Sequence, residues 1–304
     1  FVLTEASMSF SVFMQHLANG VSLGSLYALI AIGYTMVYGI LRLINFAHGD
    51  IVMVGAYFGF YGVAIFLLPW WVAFPIAIVL TIGLGILIER AAYKPLRDVP
   101  RFQLFTSAVA VSFLLENLAI VIFGGRPKAF PRPPFMDQMM NLFGVRVVTY
   151  TPIIIASALI LFGALMLFVN RTKVGMAMRA LSKDIETTGL MGVDTDRIIL
   201  LAFAIGSALA AAGGLLWAIK FPQINPLMGV MPGLKAFIAA VLGGIGNIPG
   251  AMIGGFLLGI TEILIVAFLP DLSGYRDAFA FAILILLLLF RPNGIMGEVQ
   301  AEKV

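Results

Sequence analysis

Apolar residues fill this chain in long blocks, near 14–38, 51–68, 71–88, 104–123, 152–169, 198–219, 233–246, 250–269 and 277–290. Most blocks reach roughly 18 residues, the length at which a helix crosses a hydrocarbon core of about 30 Å. Block 233–246 is short and glycine-rich and predicts a half-helix, so the pattern gives eight or nine spans. The polar/apolar alternation of a membrane β-barrel is absent. The expected fold is all-α and polytopic, with 1–304 as one transmembrane domain. Gly20/Gly24, Gly55/Gly59, Gly246/Gly250, Gly250/Gly254 and Gly255/Gly259 each lie four apart. That spacing lets membrane helices approach closely.

The blocks contain a faint copy of themselves. Ile44-Asn45-Phe46-Ala47-His48-Gly49 recurs 180 residues later as Ile224-Asn225-Pro226-Leu227-Met228-Gly229. In the same register Ala28 pairs with Ala208, Gly33 with Gly213, Ala56 with Ala236 and Tyr57 with Phe237. Each copy reads as an apolar helix, a short break with Asn and Gly, and a second apolar helix. A further break falls at Gly243-Gly244-Ile245-Gly246-Asn247-Ile248-Pro249-Gly250. Irregular backbone at membrane depth survives only where protein or a water-filled cavity covers it.

Composition agrees with the pattern: 61% of residues are apolar and 11% charged, more apolar surface than a soluble domain of this length hides. Basic residues concentrate in loops 89–101 and 171–197, which the positive-inside rule places in the cytoplasm. Counting spans from these loops puts the N-terminus outside, the C-terminus inside, break 39–50 inside and 220–232 outside. The two copies then run in opposite senses, the layout of transporters with inverted repeats. Loop 124–150 would be external despite Arg126, Lys128, Arg132 and Arg146, and its prolines suggest an ordered cap. Residues Phe1–Ser7 read as a leader ahead of a start at Met8, without assigned function. Loop 171–197 predicts a short amphipathic helix, with Met176, Met178, Leu181 and Ile185 set against Arg179, Lys183, Asp184 and Glu186. It is a solvated loop helix or a docking element for a partner's groove.

These residues carry a resemblance. Asn45–Asp50 followed by Gly55-Ala56-Tyr57, the block from Pro232-Gly233-Leu234-Lys235 to Gly250-Ala251, and the ending Arg291-Pro292-Asn293-Gly294 resemble permease subunits of branched-chain amino acid ABC importers. Segment Arg179–Asp184 through Gly189–Asp194 is similar to that family's ATPase-coupling loop, represented by Met178, Arg179, Lys183, Asp184, Glu186, Gly189 and Gly192. It departs from the Glu-Ala-Ala motif of many ABC importers, having Thr187 and Thr188 after Glu186. The resemblance implies a bacterial inner-membrane permease, in which the span count makes the N-terminus periplasmic and the C-terminus cytoplasmic. It also implies four kinds of surroundings: a second homologous permease, two cytoplasmic ATPase subunits, a periplasmic binding protein and the lipid bilayer. ATP and Mg would sit on the ATPase chains, with no cofactor on this one. Related permeases carry urea, short amides or other small solutes, so the cargo stays open.

A permease does no bond chemistry, and its candidate residues are those of a path. Asn45 and Asn225 either cap the breaks or touch a passing solute, on opposite faces that would suit paired gates. Glu116 and Glu262 lie inside spans and need partners, water or protonation, with Asn117 and Thr261 as local partners. His48 and Asp50 flank the first break, and Tyr27 and Tyr57 stand in the same regions. A zwitterion with an apolar side chain calls for neutral polar groups and apolar walls rather than fixed charge. The chain has two histidines and no cysteine, which argues against a resident metal. An ion-driven secondary transporter remains the rival, with Glu116 or Glu262 as its coupling acid. Nothing in the sequence suggests nucleic-acid binding, a nucleotide loop or a clustered catalytic set.

Overall fold

The structure, a computed structural model, describes residues 10–97, 99–142 and 144–297. The leader expectation for Phe1–Ser7 and Met8 lies outside the described residues. Among the described residues eight helices are long and apolar enough to cross a membrane, and a shorter apolar helix lies among them. In chain order they are α1 (Phe10–Leu41), α2 (His48–Phe60, continued by a π-helical turn Tyr61–Ile65), α3 (Trp70–Ile88, continued to Leu96) and α4 (Arg101–Phe123). A short strand β1 (Lys128–Ala129) and a hairpin of β2 (Met139–Leu142) and β3 (Val145–Val148) follow. Then come α5 (Tyr150–Arg171), two short helices α6 (Lys173–Lys183) and α7 (Ile185–Leu190), and α8 (Thr195–Lys220). Strand β4 (Gln223–Ile224), the short α9 (Val230–Gly243), α10 (Ile248–Phe268) and α11 (Arg276–Phe290, entered through a 3-10 stretch Pro270–Tyr275) complete the order.

Three observations give the halves opposite senses. The Arg97 guanidinium reaches Asp196 at 2.5 Å, so the end of the α3 segment meets the start of α8. The Tyr93 hydroxyl donates to Asn45 Oδ1 at 2.7 Å, so α1 ends beside that same α3 segment. At the other end, β4 pairs with β1 of the cap. Thus α1 finishes on the face where α8 begins. The helices cross in matching fashion, α1 on α9 and α2 on α8, with α1 against α8 at the centre.

Glycines set the closest contacts. Along α1 and α10, Gly20 and Gly24 mesh with Gly255 and Gly259; a Cβ on Gly24 would stand 2.7 Å from the Phe256 Cα. The four-apart spacing read in the sequence is therefore used for backbone-to-backbone packing. The expected helix within 171–197 is instead two, because Asp184 stops one and caps the next. Its side chain accepts from the Thr187 N–H at 3.0 Å, as Thr172 accepts from Gly175 and Asp194 from Arg197. The described cap residues, 124–142 and 144–149, are tied down: Lys128 donates to the Tyr61 hydroxyl at 2.9 Å, and Arg132 pairs with Asp137.

Candidate functional site

The two breaks share one backbone geometry. The carbonyl of Asn45 accepts from the His48 N–H at 3.0 Å, and that of Asn225 accepts from Met228, its counterpart in the repeat, at 3.0 Å. The turns bring Gly49 and Gly229 into direct backbone contact: a Cβ on Gly49 would lie 2.6 Å from the Gly229 carbonyl oxygen. Equivalent glycines that touch each other lie on the axis relating the two copies. On one side of this contact Asn45 faces Tyr93; on the other, the Asn225 segment runs to the cap strands.

A cleft of about 130 Å³ opens against this crossing. Ile44, Phe46, Gly49 and Asp50 come to it from the first break, and Gly229, Gly233, Leu234 and Phe237 from the second. Helix α4 contributes Ser112 and Glu116, and Tyr34 closes the wall from α1. Asp50 is 2% exposed and accepts a 2.5 Å hydrogen bond from the Ser112 hydroxyl. The cleft therefore departs from the expectation of neutral polar groups, because two carboxyl groups stand in it. Glu116 does not use Asn117, whose amide donates to its own helix at the Phe113 carbonyl.

Tyr27 and Glu262 belong to a second cluster. Glu262 accepts from the Tyr27 hydroxyl at 2.9 Å and pairs with Lys235 of α9 at 2.8 Å. Lys235 also lies 2.6 Å from Asp277, and Arg276 lies 3.5 Å from Glu262. Thr261, the expected local partner, donates instead to the Leu257 carbonyl. Burying an acid in a helix bundle requires this kind of compensation. The cluster grips the back of α9, while Gly233, Leu234 and Phe237 on the same helix line the cleft.

The other candidates make contacts within the fold. His48 stacks near Tyr34 and reaches the Ile30 carbonyl at 3.2 Å; a carbonyl only accepts, so the proton is on Nε2. Tyr57 is fully buried and stacks on Phe123 with ring centroids 4.3 Å apart. Asn225 folds onto its own turn, accepting from the Leu227 N–H at 3.0 Å. The eight pathway candidates thus divide between a cleft, an ion cluster and structural contacts.

Sequence reasoning missed Ser112, Tyr93 and Lys235 as partners. Only the last left a signal: it is the sole basic residue between Lys220 and Arg276, the stretch that holds Glu262.

In the α6–α7 segment Met178 and Leu181 are buried, and Arg179 donates to the Val169 carbonyl at the end of α5. Asp184 is the cap between the two helices, and Gly192 adopts φ 86°, where glycine is favoured. Lys183 and Glu186 are exposed, and Gly189 accepts from the Gly192 N–H at 3.0 Å. Met176, Leu190 and Met191 remain bare at 61%, 83% and 82% exposure.

Apolar helices in two inverted halves, broken where the copies meet around a cleft, define a membrane permease. The chain belongs to the family described as "Branched-chain amino acid transport system / permease component", which matches residues 16–288. It is 44% identical to the high-affinity branched-chain amino acid transport system permease protein BraD of Pseudomonas aeruginosa, over 96% of this chain and 98% of that one. It is 43% identical to the permease protein LivH of the corresponding Escherichia coli K12 system, over 98% of this chain and all of the relative. A second permease protein of that bacterium, LivM, is 24% identical over 92% of this chain and 70% of its own length. The family is one of transport subunits rather than of catalysts.

Proposed function

We propose that this chain is the membrane-spanning subunit of an ABC importer for branched-chain amino acids in a bacterial inner membrane. The observation that carries the reading is the near full-length likeness to BraD and LivH, both described as high-affinity branched-chain amino acid permeases. ATP and Mg act on separate ATPase subunits on the cytoplasmic side. A binding protein delivers the solute from the periplasm, where the N-terminus lies, while the C-terminus is cytoplasmic. LivM supports a second, related permease as partner, since one bacterium holds it beside LivH.

The α6–α7 segment supports the coupling role. It is capped at each turn and anchored by Met178, Leu181 and Arg179, yet presents Met176, Leu190 and Met191 to its surroundings. A rigid helix pair with bare apolar anchors fits a groove on a partner. Purification from native membrane should bring down stoichiometric ATPase subunits and leucine-stimulated ATP hydrolysis. Leu190→Asp with Met191→Asp should lose both while the chain stays folded. Intact chain that transports alone on an ion gradient would overturn the reading.

A further inference from the structure

Three carboxyl groups of the described residues are almost fully buried: Asp50, Glu89 and Glu262, at 2%, 1% and 4% exposure. Glu89 has Arg97, and Glu262 has Lys235. Asp50 has a hydroxyl, Ser112, and no basic side chain in ion-pair range. It lines the cleft, in which Glu116 provides a second carboxyl group and no Lys, Arg or His takes part. An ionised acid inside a membrane bundle is costly unless a cation, water or protonation relieves it, and an ammonium group is the one of these that a solute brings. The rest of the wall is aromatic and aliphatic: Tyr34, Phe46, Leu234 and Phe237. Aromatic faces attract cations and also accept apolar chains. This cleft lies where the two halves cross, against the Gly49–Gly229 contact.

We infer that the cleft is a station for the ammonium group of the transported solute, with Asp50 and Glu116 facing the charge and Phe46, Leu234 and Phe237 the aliphatic side chain. This rests on the importer reading for the identity of the solute, and goes beyond it in giving the permease its own selectivity for a free amino group. A deaminated or N-acylated analogue of the same shape would bring no cation to Asp50. The asymmetry is built into the repeat. Asp50 corresponds to Val230, so one half brings the charge and the other an apolar wall.

The chain has no cysteine, which makes a direct test possible. Val230 lines the cleft and is 43% exposed, so Val230→Cys places one thiol there. In the assembled complex, the labelling-rate ratio of a trimethylammonium-bearing over a sulfonate-bearing methanethiosulfonate at this thiol should be about tenfold above their ratio for a free thiol in solution, because a cleft of one charge sign concentrates counter-ions. Glu116→Gln together with Asp50→Asn should erase that preference, and isoamylamine should protect the thiol where 4-methylpentanoate does not. Asn at 50 still accepts from Ser112, so the packing is kept. A ratio no higher than that of the free thiol, or an excess that survives the double substitution, would overturn the station. Leucine uptake by the same complex separates the two claims. Uptake without cation preference rejects the station and keeps the importer reading; cation preference without leucine uptake rejects that reading and leaves a station for another amine.

Discussion

The first and second helix breaks have the same skeleton and different chemistry. Both use an Asn carbonyl to close the turn at 3.0 Å, and both deliver a glycine to the crossing. Their side chains then diverge. Asn45 is 2% exposed and reaches across the fold to Tyr93, while Asn225 is half-buried and bonds within its own turn. Further along, α2 carries Gly55, packed on the Ala211 backbone, where α9 carries Lys235 in an ion cluster. Duplication thus preserves what the backbone requires of a break, and leaves each copy free to be held by close packing or by charge. At this matched position the first half relies on close packing, whereas the second depends on Lys235 keeping its two carboxylate partners, Glu262 and Asp277, in place.

The largest effect should come from removing the charge from the second copy. Lys235→Met leaves Glu262 buried with Tyr27 and a more distant Arg276. Breaking a buried pair in this way costs about 3–5 kcal/mol, read as a fall in the thermal unfolding temperature in detergent. Adding Glu262→Gln should recover most of that loss; a double variant as unstable as the single one would show that Lys235 acts by packing rather than charge.

Next comes the contact that the copies share. Gly49→Ala and Gly229→Ala each force a methyl group into the opposite backbone, at about 1–3 kcal/mol. Because one contact is involved, the two losses should be similar and the double variant should fall short of their sum. Full additivity would place the glycines at independent sites.

The smallest effect separates the asparagines. Asn45→Ala strands the buried Tyr93 hydroxyl and should cost about 1 kcal/mol or somewhat more. Asn225→Ala loses a local turn bond open to solvent and should cost about half as much or less. Equal costs in chemical denaturation would erase the distinction drawn between the copies.

The fold was legible because hydrocarbon imposes a crude rule, a run of apolar residues as long as the bilayer is thick, and the breaks at 42–47 and 244–247 interrupt such runs with Asn and Gly. The short α9 was readable for the same reason. What stayed hidden were contacts between residues far apart in sequence. Glu116 and Glu262 stood out as costly acids, but their neighbours Asn117 and Thr261 turned out to bond their own helices, because a hydroxyl or amide inside a span finds the nearest carbonyl four residues back. Lys235 was accessible to charge bookkeeping; Ser112 as the partner of Asp50 was not, since a serine in a span announces nothing. That Gly49 meets Gly229 required knowing where the symmetry axis falls.

The pairing of β1 with β4 has a mechanical side. Phe130 donates to the Pro222 carbonyl, and Lys128 and Ala129 sit opposite Ile224 and Gln223, so the cap grips the chain just before it descends to the crossing. Only Asn225 to Gly229 lies between that grip and α9, and much of this short tether is already spent in a turn. With so little slack, a pull on the cap arrives at the Gly49–Gly229 contact as a displacement rather than being absorbed along the way, and the outer ornament of the bundle becomes a handle on its centre.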